Sequence, residues 1–431
     1  MSTNKKSQKE QAAIQNHIKN LQNSNPRQRS GAAEELGRLH AEEAASHLIE
    51  LLHEDVNTYV RSACAEALGQ ISTPDAIFPL MDALHDSCSF VRRAAAISLG
   101  QMSAKEAQGA LLNALEDHNF YVRRAAINAI GKLGIPDMGP ILLPFLDTSD
   151  PRIRRTTITA LQRLHTQEAI PQMTTMLEEY MDAPHQRDIP TVKTLVVALG
   201  KLKAKAAVPV LIRVVRGYVG VRSLAAKALG KIGDPQAGPV LQAALEDRSA
   251  NLRLAALKSL GRLKYRPAAP TVHKFLSSPD PRMRRTATLA IGYLEDATAV
   301  NQLLSIARED GSSLVRPAAV QALGRVGNET IISELLPLVE DTNAYLRAAL
   351  AETLTALAID GEEPAVRAAL KQLAEDQVEH VAKVARSALI ALDHRDYAEV
   401  DINPTGREVL SEEPAIAAAA TSWLRRVLRR G

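Results

Sequence analysis

A block of about 31 residues recurs along almost the whole chain, and no other feature limits the possible folds so strongly. Each copy ends in a helix-like segment with arginine second and glycine tenth. The clearest are VRSACAEALG (60–69), VRRAAAISLG (91–100), VRRAAINAIG (122–131), VRSLAAKALG (221–230), LRLAALKSLG (252–261), MRRTATLAIG (283–292) and VRPAAVQALG (315–324). The second-position arginines are Arg29, Arg61, Arg92, Arg123, Arg154, Arg222, Arg253, Arg284, Arg316 and Arg347, separated by steps of 32, 31, 31, 31, 68, 31, 31, 32 and 31 residues. The long step contains a divergent copy, TVKTLVVALG (191–200), with Val192 in place of the arginine after an insertion from Glu178 to Pro190. A looser copy lies around Val384 to Leu392, so the repeat number is about a dozen. Regular repetition on this scale builds a solenoid, in which each unit buries its apolar face only against its neighbours.

Each unit reads as two helices, for example Pro74 to His85 followed by Phe90 to Met102. Proline sits where a helix begins, as in Thr73-Pro74-Asp75, because its missing N–H costs nothing in the first turn. In the second helix, apolar residues at positions 1, 5, 8, 9 and 12 of the block gather on one side at a 3.6-residue period. Val91, Ala95, Ser98, Leu99 and Met102 show the pattern, and alanine prevails because small side chains let neighbouring helices approach. No strand signal is present, so the expected fold is all-α, an α-solenoid superhelix of two-helix repeats. The expected organisation is a capping helix over 1–24, repeats over 25–392, a linker over 393–410 and a basic amphipathic helix over 411–431.

These blocks resemble HEAT-like repeats, specifically the short alanine-rich kind found in phycobilisome (bilin) lyases and many bacterial proteins, and the resemblance covers about 25–392. The family pattern places an aspartate six residues before the arginine, here Asp55, Asp86, Asp117, Asp247, Asp310 and Asp341. The resemblance implies a ladder in which each aspartate caps or pairs with a neighbouring repeat. Asp147 and Asp150 before Arg154, and Asp280 before Arg284, depart from the spacing, so the ladder is expected to be irregular there. The glycines lie in neither GxxxxGK[ST] nor a strand-following GxGxxG, and are assigned to helix ends or close helix contacts.

Positions 3, 7 and 11 lie opposite the apolar face and should meet solvent. In the first half they hold Arg93, Arg124, Lys132, Arg155, Arg163, Lys193 and Lys201. In the second they hold Lys227, Lys231, Lys258, Arg262, Arg285 and Arg325, with Glu66 and Glu352 as acidic exceptions. Formal net charge is only +3, so such a stripe means segregation of positive charge rather than excess. A cation at position 11 is also favoured by the helix dipole, whereas Arg93, Arg124, Arg155 and Arg285 sit in the first turn, where the dipole disfavours them. The stripe is therefore the candidate surface for an acidic protein or peptide. Nucleic acid is an alternative ligand, although Tyr293 is the only obvious stacking aromatic in the stripe.

At the C-terminus Trp423 with Arg425, Arg426, Arg429 and Arg430 forms a basic amphipathic segment suited to a partner groove or an anionic membrane surface. The insertion carrying Tyr180, His185, Arg187 and Asp188 is a candidate loop on one face. No catalytic constellation is found. A HEAT-repeat di-iron hydroxylase of the deoxyhypusine type would need several His-Glu pairs, and His53-Glu54 is the one present. No metal-ligand spacing links the 11 histidines, and neither cofactor nor metal is expected. A bilin lyase or cofactor-attachment role is carried only by the resemblance. Cys64 and Cys88 read as reduced structural residues, and the absence of an apolar stretch of membrane-spanning length leads to the expectation of a cytoplasmic protein.

Overall fold

A computed structural model describes residues 2–183, 188–217, 220–358 and 364–400, and among these every regular element is helical. The chain divides into two compact units, Met1–Val210 and Leu211–Gly431. In the first unit the second helices of the repeats are Pro26–Arg38, Thr58–Ile71, Ser89–Met102, Phe120–Leu133, Pro151–Arg163 and Ile189–Lys201, each packed on the next. In the second unit they are Arg222–Ile232, Ala250–Leu263, Pro281–Leu294, Val315–Val326, Ala344–Leu357 and Glu379–Val400, stacked in the same way. These make up the expected dozen. Ser2–Asn20 forms a helix against Pro26–Arg38. At the other end, Glu379–Val400 continues into the stretch assigned to a linker, and 401–431 lie outside the described residues.

In several repeats the first helix is less regular than its sequence suggests, although Ala45–Glu54, Ile170–Asp182 and Val300–Glu309 are continuous. Pro74 to His85 divides into a 3-10 turn Pro74–Ala76, a short α-helix Ile77–Asp82 and a 3-10 turn Ala83–His85. Tighter i→i+3 turns at both ends leave only the middle in α geometry. The second helices are continuous. An Asn, Asp or Ser often caps the start, as when Asn119 accepts from the Tyr121 N–H, satisfying one of the orphan donors of the first turn. Several second helices end at position 13 in left-handed conformation, occupied by Gly134 and Gly233 but also by Ser72, Ser103, Lys264 and Glu295.

The buried surface of these helices is wider than one stripe. In Ser89–Met102 the residues Val91, Ala94, Ala95, Ala96, Ser98, Leu99 and Gly100 are all buried. A helix flanked on both sides by the preceding and following repeats, and backed by its own first helix, leaves only a narrow strip of surface. The position-10 glycines lie inside this contact, not at helix ends. A Cβ on Gly100 would stand 2.7 Å from the Ala129 Cα, and one on Gly131 2.7 Å from the Ala160 Cα. Where serine replaces alanine at the facing position, its hydroxyl is satisfied across the repeat boundary: Ser98 Oγ donates to the Ala65 carbonyl at 2.8 Å and Ser259 Oγ to the Ala226 carbonyl at 2.8 Å.

The second-position arginines form the ladder. Arg29 pairs with Asp55 at 2.6 Å, Arg61 with Asp86 at 2.7 Å and Arg92 with Asp117 at 2.7 Å. In the second unit Arg222 pairs with Asp247, Arg284 with Asp310, Arg316 with Asp341 and Arg347 with Asp376. Each guanidinium thus reaches one repeat forward. Several also grip the turn that precedes their own helix, as Arg92 Nη1 does in donating to the Asp86 carbonyl at 2.8 Å. Each aspartate in turn accepts from a backbone N–H two residues on, as Asp117 does from Asn119 at 2.7 Å. The ladder breaks where the aspartate spacing departs from the pattern. Among the described residues Arg123 and Arg253 donate only to backbone carbonyls, and Arg154 to the Leu146 and Thr148 carbonyls and the Tyr180 hydroxyl. The displaced Asp150 and Asp280 cap their own helices instead, accepting from the Arg152 and Arg282 N–H groups.

Candidate binding face

The ladder commits the second-position arginines to the fold, so a partner surface on the second helices is built from the strip that their stacking leaves uncovered. In the first unit that strip carries a groove of about 520 Å³ running across four consecutive second helices. Arg93 comes from Ser89–Met102, Arg124 and Asn128 from Phe120–Leu133, Arg155 and Thr159 from Pro151–Arg163, and Thr194 from Ile189–Lys201. Three of the cations expected at position 3 are therefore brought into one groove. Arg93 and Arg124 are half-buried, and among the described residues neither has a carboxylate partner. Arg155 differs, because its Nη1 lies 3.1 Å from Asp188, which also caps Ile189–Lys201.

Two groups in this groove escaped the sequence pattern. Arg152 stands at its edge and pairs with Asp150 at 3.1 Å. Tyr121 adds aromatic surface to the lining, and its ring packs against that of the adjacent Phe120, with centroids 5.0 Å apart in an edge-to-face arrangement. The Arg124 guanidinium lies 5.7 Å from both rings and that of Arg152 lies 4.3 Å from Phe120. Such contacts hold the cations near the rings without neutralising them. Tyr121 precedes position 3 by one helical turn, so the i, i+3 rule was the signal that places it on this face.

The other expected cations are spread more widely. Arg163 donates to Asn128 at 3.0 Å and Lys201 to Gln162 at 3.1 Å, so these position-11 residues reach back to the preceding repeat. Lys132 is half-buried and Lys193 exposed on the same helices, outside the groove lining. In the second unit Lys227, Lys231, Lys258 and Arg262 are exposed, and Arg325 stacks on Tyr293 at 4.3 Å. Arg285 lines a separate groove of about 410 Å³ with Leu314, Tyr345, His380 and Glu352. Burial pushes the Glu352 carboxyl above its ordinary range, partly offset by His380 and Arg325. The basic strip of the second unit thus contains a carboxylate-bearing groove of different chemistry.

The insertion is partly structural. Ile170–Asp182 forms one unbroken helix, Tyr180 accepts from Arg154, and Asp188 caps the following helix. His185 and Arg187 lie outside the described residues, as do Trp423, Arg425, Arg426, Arg429 and Arg430. Among the described residues no group of three metal-ligating side chains converges, and no helix is long and apolar enough to cross a membrane. Cys64 is buried, and desolvation pushes its thiol up to about 12, a packing residue rather than a nucleophile.

A family model described as HEAT repeats matches residues 6–69, 46–112, 109–188, 183–249, 239–323 and 300–390. No curated protein matches the sequence. Among solved structures, a chain of the Kap95:Nup1 complex is similar with TM-score 0.56 and 14% identity, over 90% of this chain and 63% of that one. A structure of Kap95p with RanGDP gives TM-score 0.55 and 13% identity, over 90% and 64%. Importin beta in a polyethylene glycol condition gives 0.51 and 14%, over 90% and 66%. The chain spans less than two thirds of each of these, and at such identities the likeness is one of fold.

Proposed function

This chain belongs to the HEAT-repeat family, and on that premise we propose that it is a protein-binding scaffold whose first unit holds an acidic protein or peptide on the exposed strip of its second helices. The observation that carries the reading is the contrast between two sets of arginines on the same helices. The second-position set is matched to aspartates wherever the spacing allows, while Arg93 and Arg124, one residue further on, face a groove in which, among the described residues, no carboxylate pairs with them. Half-buried cations without counter-charges raise the local potential, and a ligand carboxylate relieves both at once. The repeats offer shallow contacts over many helices, which suits an extended protein ligand. Kap95, similar in fold, is seen in complexes with Nup1 and with RanGDP, a use of the architecture in keeping with this reading.

The test compares the native chain with R93E/R124E for binding to polyglutamate by calorimetry, and for capture of a stoichiometric partner from the native host. The native chain should bind polyglutamate in a salt-sensitive manner, with affinity reduced about tenfold or more in the variant, as expected from replacing attraction by repulsion at two sites. Equal binding by both forms, with folding unchanged, overturns the proposal.

A further inference from the structure

The uncovered strip of the first unit carries a second regular row. The second residue of three successive second helices is aromatic: Tyr59, Phe90 and Tyr121, with relative exposures of 73%, 61% and 48%. Arg152 continues the row on the next helix. One turn further along each helix lie Ser62, Arg93, Arg124 and Arg155. Nothing in the fold calls for large rings at these positions, since aromatic residues are mediocre helix formers and these three leave much of their surface in water. The chain has only 5 Phe and 8 Tyr, so their recurrence in one exposed register is a pattern rather than a scatter of surface residues. Two grooves open along the same strip, one of about 850 Å³ beside Tyr59 that also carries Glu34 and Glu66, and one of about 520 Å³ beside Tyr121 that carries the arginines.

Adjacent packed helices lie about 8–10 Å apart, so rings in the same register on successive helices are expected at about that interval. A polyproline II helix presents the same face every third residue, about 9.3 Å at 3.1 Å per residue, and so stays in step with the rows. An extended β-strand repeats a face about every 6.6 Å and falls out of step after one helix. We propose that this aromatic and arginine double row binds an acidic peptide segment of a partner protein in polyproline II conformation, with one residue in three seated between the rings and acidic residues received against Arg93 and Arg124 in the groove beside Tyr121. This rests on the acidic-partner reading and specifies the ligand's conformation. Aromatic-lined grooves suit such segments because the ligand is already extended and loses little conformational freedom on binding.

The probe is a labelled peptide of repeating Glu-Pro-Pro triplets, compared with one of Glu-Gly-Gly triplets that has the same charge spacing without the preformed helix. Both are titrated with the full chain, with F90A/Y121A and with R93E/R124E, each variant being checked by thermal melting. The proline peptide should bind about tenfold more tightly than the glycine peptide, and F90A/Y121A should remove most of that difference while leaving the glycine peptide unaffected. Equal affinity for both peptides in the native chain, or F90A/Y121A binding like the native chain, overturns the polyproline II proposal. The broader acidic-partner reading then still stands if R93E/R124E loses both peptides. Failure of both peptides to bind the native chain, or their displacement by a single-stranded oligonucleotide at lower concentration than by unlabelled peptide, also overturns it.

Discussion

At the scale of the residue, two kinds of glycine carry opposite consequences. Gly131 sits where two helices touch, and an added Cβ would meet the Ala160 backbone, which cannot move without shifting its helix. Gly109 is exposed inside Gln108–Asn113 with nothing within 4 Å of a new Cβ. Gly131→Ala should therefore cost about 1–3 kcal/mol through overpacking. Gly109→Ala should stabilise by about 0.5–1 kcal/mol by limiting the unfolded chain. Chemical denaturation of the two variants checks the opposite signs, and a neutral Gly131→Ala would show that the helices can separate freely. The glycine register was legible in the sequence as close contact or helix end, and the structure selects contact. The helix stop lies three residues later, where Ser72, Ser103 and Lys264 accept left-handed geometry that their side chains give no hint of.

At the scale of the element, one aspartate joins three segments. Asp117 accepts from Arg92 of the preceding repeat at 2.7 Å, takes the Asn119 N–H at 2.7 Å, and its carbonyl receives Arg123 at 2.7 Å. Asp117→Ala leaves the largely buried Arg92 guanidinium without its carboxylate and strips the turn of a cap, so it should destabilise by about 3 kcal/mol. The additional change Arg92→Met should recover part of that loss, because removing both charges is less costly than orphaning one. Hydrogen exchange at the amides of Ser89–Met102 and Phe120–Leu133 reads the local effect, and unchanged protection in Asp117→Ala would show the ladder to be ornamental. The aspartate register was visible before the structure, and its gaps at Arg123, Arg154 and Arg253 follow from the shifted Asp150 and Asp280 and the insertion.

At the scale of the whole molecule, the ladder links stability to pH. At Asp55, Asp86 and Asp117 burial opposes ionisation as the largest single effect, yet the arginine and backbone hydrogen bonds together hold these carboxyls below their ordinary range. At Asp310 and Asp376 the arginine hydrogen bond leads, with the same net direction. Depressed folded-state values mean that the stabilisation is fully present above the unfolded carboxylate range, about pH 4, and is lost as pH falls through the folded values. The thermal midpoint should stay nearly level from about pH 7 down to pH 5 and drop steeply below about pH 4. A main loss between about pH 7 and pH 6 would assign the dependence to histidines instead. These rungs share the behaviour within each unit taken alone.

The repeat period, the all-helical class and the dozen units follow from the sequence by itself, because each depends on spacing along the chain and a solenoid turns that spacing directly into neighbour contacts; the aspartate register is visible there too, but its pairing as a ladder was implied by the resemblance to HEAT-like repeats. The charged strip was legible for the same reason, as one face of a 3.6-residue helix. What only the tertiary structure decided is which cations share a groove. Among the described residues Arg93 and Arg124 face it without carboxylates, and Arg155 is met by Asp188, a residue 33 positions away within an insertion whose path no periodicity describes. Tyr59, Phe90 and Tyr121 became a row only once burial showed them uncovered, since a large apolar side chain near a helix start reads as core until the neighbours that would cover it are known to be elsewhere.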